Sequence, residues 1–145
     1  MLSDIERRFP GLQPAAWRVT SPATDAYNCV AWAVHDTEAW WWPGDPLLTY
    51  WPPGVERAES LPAFRAALAT VGLVPCSNAD VEQGFEKVAP FADDQGLPTH
   101  VARQLPSGRW TSKLGMLQDI EHELNELAGA EYGSVAQVLI RPAVR

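Results

Sequence analysis

The stretch THVARQLPSGRWTSKL, residues 99–114, most constrains what this chain can fold into. Thr99 to Leu105 and Trp110 to Leu114 read as strands, and PSGR between them, with its Gly108, reads as a hairpin turn. Phe85 to Ala92 (FEKVAPFA) supplies another strand before the hairpin, and Val135 to Arg141 (VAQVLIR) closes the sheet. Leu73 to Ser77 is a further short strand. The second half of the chain therefore predicts a sheet that leans antiparallel.

Helical patterns dominate the first half. Ser3 caps a short helix to Arg8, with Glu6 three residues on and Pro10 ending it. A second helix is expected from Cys29 to about Ala39, where Ala31, Ala33 and Ala39 are good helix formers around Trp32 and Thr24, Asp25 and Asn28 offer caps. Trp40 to Val55 (WWWPGDPLLTYWPPGV) is broken by Pro43, Pro46, Pro52 and Pro53 and reads as an ordered aromatic loop. Ser60 to Val71 is a helix with Ser60 as cap, Pro62 in the first turn, Leu61, Phe64, Leu68 and Val71 on one face, and Gly72 as its end. Asp119 to Leu127 (DIEHELNEL) carries Ile120, Leu124 and Leu127 on one stripe and predicts another helix. Helices first and a sheet after give an α+β layout. With 145 residues, 46% of them hydrophobic, one domain over 1–145 is expected.

Charge and composition exclude several classes. A net charge of −7 works against a phosphate-neutralising surface, so nucleic acid is not an expected partner. The N-terminal stretch has no apolar run behind a basic end, and nowhere do eighteen apolar residues follow one another. The reading is a chain with no membrane partner, cytoplasmic or exported without a signal peptide. Cys29 and Cys76 are too few for a disulfide framework and form no CxxC pair. Together with His35, His100 and His122 they show none of the usual zinc spacings, so neither metal nor cofactor is expected.

Cys29, in YNCVAWA, falls at the first turn of its helix. There unpaired backbone N–H groups and the positive end of the helix favour thiolate. A nucleophilic thiol needs an imidazole on a neighbouring element, and His100 near the start of a strand meets that need. The plain alternative is a buried core thiol.

A cysteine opening a helix, then the Gly84 strand GFEKVAPFA, then THVARQLPSGRWTSKLG with His100, the small apolar Val101 and Ala102, and Gly108 at the turn, resembles the papain-like cysteine hydrolases. The match is to their compact NlpC/P60 branch and spans roughly residues 27–115. The whole string through DIEH also resembles a bacterial domain family without a settled function. The papain-like resemblance implies N-terminal helices packed on a small antiparallel sheet, Cys29 as nucleophile and His100 as base. Twelve positions after the base, where that branch has His, Asn or Gln to orient it, stands Ser112. Asp119 is the alternative orienter, offering charge, although at a helix start it also reads as a cap. Asn28, His122 or a backbone carbonyl are the remaining choices.

The expected function is hydrolysis of, or acyl transfer from, an amide or peptide bond, with the Cys29 N–H and a group from Tyr27 or Asn28 holding the oxyanion. The alternative is a non-catalytic module that binds a peptide or protein through the Trp/Pro loop. Trp41 and Trp42 are the substrate-wall candidates there, against core or lid packing for these rings and for Trp40 and Trp51. Arg103 and Lys113 read as a solvated strand face, His35 and Asp36 as the end of the Cys29 helix without chemistry, and Cys76 as an inert buried thiol. The sequence sets no oligomeric state.

Overall fold

A computed structural model describes residues 3–143 of the chain; positions 1, 2, 144 and 145 of the expected domain lie outside these. In chain order the elements are α1 (Asp4–Arg8), β1 (Arg18–Ser21), α2 (Cys29–Ala33), α3 (Leu61–Ala69), β2 (Val74–Cys76), β3 (Phe85–Ala92), β4 (Pro98–Gln104), β5 (Trp110–Lys113), β6 (Asp119–His122), β7 (Ser134–Val135) and β8 (Val138–Pro142), with a 3-10 turn at Leu124–Leu127. The strands form one eight-stranded sheet in the order β1-β6-β5-β4-β3-β8-β2, and β7 adds to the end of β3. Every pairing is antiparallel.

Strand alternation divides the core. Val88 of β3 and Val101 of β4 face a cluster built by α2, α3 and the aromatic loop, including Val30, Ala31, Phe64, Leu68 and Trp51. Their neighbours Ala89 and Ala102 face the opposite way, into a cluster with Ile5, Phe9, Trp110, Ile120 and Leu127. Both faces of the central strands are therefore covered, which explains why β3 from Glu86 to Ala92 is buried along its whole length.

Local signals fixed several elements as expected. Ser3 accepts the Glu6 N–H while the Glu6 carboxylate takes the Ser3 N–H, a reciprocal capping box. Ser60 caps α3 through the Ala63 N–H. The PSGR reversal closes with Leu105 N–H on the Arg109 carbonyl and Gly108 at φ 92°.

The α+β, papain-like arrangement of helices on a small sheet is overturned. The sheet dominates, and the helices are short: five residues in α1, five in α2 and nine in α3. Two expectations fail for physical reasons. The Cys29 helix stops at Ala33 instead of Ala39, because the chain turns out through Val34 and His35, whose φ is 67°, and Asp36 N–H closes back on the Ala31 carbonyl. Asp119 to Leu127 is not a helix, since Asp119–His122 lies between β5 and β1 and pairs with both. The Ile120–Leu124–Leu127 stripe fits a strand followed by a tight turn as well as it fits a helix. Edge strand β1 carries no apolar pattern of its own and exists through its register with β6, Val19 opposite Ile120. None of the described helices is long and apolar enough to cross a membrane.

Arg103 and Lys113 are also not a solvated face. Both are buried: the Arg103 guanidinium lies 5.0 Å from the Trp32 ring, and the Lys113 ammonium lies 5.3 Å from the Tyr27 ring. Cys76 is partly exposed instead of buried, with its thiol donating to the Asn78 carbonyl.

The loop before β7 returns through Gly133 at φ 75°, where an added Cβ would stand 2.0 Å from the Ala92 carbonyl oxygen. Gly133→Ala must therefore displace backbone, and we expect a loss of about 3 kcal/mol or more in urea unfolding. Gly96→Ala, at φ 79° with open space around it, is expected to lose only about 1 kcal/mol. Equal losses would show that the close approach to Ala92 is not what Gly133 serves.

Candidate active site

Asn28 sets the entry to α2. Its side-chain oxygen caps the helix through the Ala31 N–H at 3.2 Å and also takes the Trp41 N–H at 3.0 Å, and its amide donates to the Trp41 carbonyl at 2.8 Å. Cys29 follows as the first helical residue. Its thiol is pushed up to about 11, chiefly by burial, against the pull of backbone N–H groups of Val101, Val30 and Cys29 itself and of the Lys113 charge. The Val101 N–H is free for this because β4 pairs with β5 only at Arg103 and Gln104, so the strands part before it.

His100 stands next to Val101 on β4 and pairs across β3 with Phe91. Its ring stacks on Tyr132, centroids 4.2 Å apart and 7° from parallel, and meets Phe91 edge-on at 5.4 Å. Its Nε2 is 2.9 Å from Ser112 Oγ, which is in turn 2.7 Å from Nε2 of His122. His122 Nδ1 lies 2.6 Å from the Glu123 carbonyl oxygen. All three side chains are fully buried. Burial holds His100 well below its ordinary value, with the neighbouring His122 adding to the depression, and pushes His122 down to about 4. His100 Nδ1 is buried and has no hydrogen-bond partner.

Thiol and imidazole thus meet β4 at adjacent residues, the sulfur at the Val101 amide among the α2 cluster, the ring on the Phe91 side. Among the described residues no hydrogen bond joins them. Of the two orienters weighed, Ser112 touches His100 and Asp119 does not. Asp119 is no helix cap; it sits on β6 opposite Lys113 and accepts the Tyr27 hydroxyl at 2.6 Å, leaving its second oxygen buried without a partner. Tyr27 is pushed up to about 12 by burial and by that carboxylate. The Lys113 ammonium donates to the carbonyls of Thr24 (2.7 Å), Gly115 (2.5 Å) and Leu117 (2.6 Å), and burial lowers it.

Tyr27 and Asn28 are therefore engaged in holding structure, Tyr27 to β6 and Asn28 to the aromatic loop. Trp41 is buried, its indole donating to Asp36, and Trp42 packs edge-on against Phe64 with centroids 5.1 Å apart. His35 leaves the helix to bond Glu86 at 2.7 Å. Tyr132 has no local sequence pattern that points to it, and His122, one of the remaining orienter choices, lies on a strand and not on the expected helix. Read with period two, DIEH places Ile120 and His122 on one face and finds it. Two clefts, of about 270 and 260 Å³, lie elsewhere: one between Ala15–Arg18, Arg109 and Glu121, the other between Val81–Phe85, Pro106 and Ala143. Among the described residues no group of three His, Cys, Asp or Glu could hold a metal ion.

Residues 18–140 match the family model described as "Domain of unknown function (DUF7689)", and the chain belongs to that family. No curated protein and no solved structure matches it.

Two buried neutral histidines make folding sensitive to acid. A histidine whose folded value is depressed binds protons first in the unfolded chain, so its contribution is complete above about 6.5 and is lost as pH falls from there toward the folded value. For His122, from 6.5 to about 4, that is about 3 kcal/mol in full. Urea unfolding should thus lose stability already between pH 6.5 and 5, above the carboxylate range, and His122→Gln should flatten that slope. A wild-type stability unchanged across this interval would contradict the neutral pair.

Proposed function

We propose that this member of the family is a cysteine-dependent acyl hydrolase or acyltransferase acting on an amide or peptide bond, with Cys29 as nucleophile and His100 as base, working in the cytoplasm. One observation carries the reading: His100 is held at Nε2 by Ser112 while its buried Nδ1 is left without a partner, one residue along β4 from Val101, whose N–H draws the Cys29 thiol down. A buried polar atom without a partner is costly, and reactive sites are where such atoms persist.

The chemistry runs from a neutral pair. Cys29 held near 11 and His100 held low mean thiol and imidazole at rest, not thiolate and imidazolium. His100 Nδ1 takes the thiol proton as sulfur attacks the acyl carbon. The pair of electrons displaced from the carbonyl settles on oxygen. The N–H groups of Val30 and Cys29, which draw the thiol down at rest, are then available to that oxyanion. Collapse expels the amine, which leaves with the proton from His100, and water or a second acceptor releases the acyl group from the thioester.

A second reading is a non-catalytic peptide- or protein-binding module. The Trp/Pro loop supports it, because Leu47 and Leu48 at its tip are 91% and 79% exposed while Arg57 ties the loop together through the carbonyls of Gly44 and Thr49. The contact would fall to these leucines and Tyr50, not to Trp41.

The two readings part on covalent chemistry. In a Cys76→Ser background, 4-nitrophenyl acetate should acetylate Cys29, seen by intact mass and peptide mapping. His100→Ala, folded by circular dichroism, should slow this by about 100-fold. No acetyl group on Cys29, or an unchanged rate without His100, would leave the binding module as the better account.

A further inference from the structure

The three groups His100, Ser112 and His122 contain few enough protons that their positions follow from one backbone carbonyl. The Glu123 oxygen can only accept, so His122 Nδ1, 2.6 Å away, carries a hydrogen. Neutral His122 then has a bare lone pair at Nε2, which must receive the Ser112 hydroxyl hydrogen across 2.7 Å. That is the only proton Ser112 owns. Its oxygen therefore accepts on the other side, and His100 Nε2, 2.9 Å away, must be the N–H nitrogen. In a neutral ring the remaining nitrogen is bare, and in His100 that is Nδ1, the buried atom without a partner.

We propose that His122 is a positioning residue that, through Ser112, fixes His100 in the tautomer whose basic nitrogen is Nδ1. The inference deepens the Cys29–His100 reading and takes its catalytic meaning from it. The opposite tautomer would set two bare nitrogens against one hydroxyl proton, with one contact left repulsive inside a site closed to water. A carboxylate orienter would fix the tautomer and add charge; this chain fixes it with none, in keeping with His100 held in its neutral form. When His100 accepts a proton at Nδ1, its Nε2–H still donates to Ser112. No hydrogen bond in the chain has to reverse during turnover.

The tautomer can be read without any substrate. The chain has three histidines, so ¹⁵N-histidine labelling with two-dimensional ¹⁵N–¹H long-range correlation at pH 7.5 assigns each ring by substitution. In the wild type His100 should show one tautomer, protonated at Nε2 with a bare-nitrogen signal at Nδ1, and His122 should show the reverse. Ser112→Ala should give His100 averaged signals from both tautomers and slow Cys29 acetylation about tenfold. His122→Gln, whose amide oxygen can still take the serine proton, should restore much of the rate that His122→Phe loses. A wild-type His100 protonated at Nδ1, or tautomer signals unchanged in both Ser112→Ala and His122→Phe, would overturn the proposal. The wild-type spectrum decides even where a variant does not fold. The expected tautomers together with no Cys29 acetylation would leave the relay standing and remove only the catalytic reading.

Discussion

The Asn28 side chain is the interaction on which the thiol side of the molecule depends. One amide group caps α2 and grips the Trp41 backbone from both its N–H and its carbonyl. A five-residue helix has little stability of its own, so its position comes from what its ends and faces touch. The same grip seats the aromatic loop: Trp41 N–H and carbonyl point inward to Asn28, and Tyr50 N–H and carbonyl bond Trp40 and Trp42 on the next rung. An Ala in place of Asn28 would lose the cap, costing about 1 kcal/mol by itself, and leave two buried Trp41 backbone groups without partners. The position of the Cys29 sulfur and the cover over it are thus one structural fact.

The sheet separates two kinds of buried polarity. On the α2 face, Lys113 and Asp119 stand opposite each other on β5 and β6, the lysine satisfied by three carbonyls and the carboxylate held at one oxygen by Tyr27. On the other face, Ser112, next to Lys113 on β5, and His122, three residues past Asp119 on β6, carry no charge at neutral pH. The period-two alternation of β5 and β6 keeps the charged pair and the neutral relay apart although they share neighbours. A one-residue slip of β6 against β5 would bring Asp119 to the histidine face and the relay to the charged one.

How much of this the sequence discloses depends on whether the signal is local. The hairpin at 99–114, the Ser3 box and the α3 cap are written in adjacent residues and are legible. Asp119–His122 is decided by β5 and β1 on either side, so a stripe in its own sequence misleads. The burial of Arg103 and Lys113 depends on Trp32 and Tyr27, some seventy to ninety positions away in the chain. In the site, Cys29 is placed at a helix start by its own flanking residues, and Ser112, singled out only by the resemblance to the NlpC/P60 pattern, meets its partner His100. Tyr132 reaches His100 only because the Gly129–Gly133 loop folds back onto β3, which no short pattern encodes.

The sheet ends at β2 on one side, a strand of three residues whose middle member is Pro75. A proline has no N–H, so the row of donors that an incoming strand would need is interrupted at its centre. At the far side β1 is four residues long, bulged between Val19 and Ser21, and opens with the Arg18–Glu121 ion pair. Neither margin offers a flat run of alternating donors and acceptors. A chain whose interior is so largely sheet therefore carries its own stops against growing, copy by copy, into a fibre.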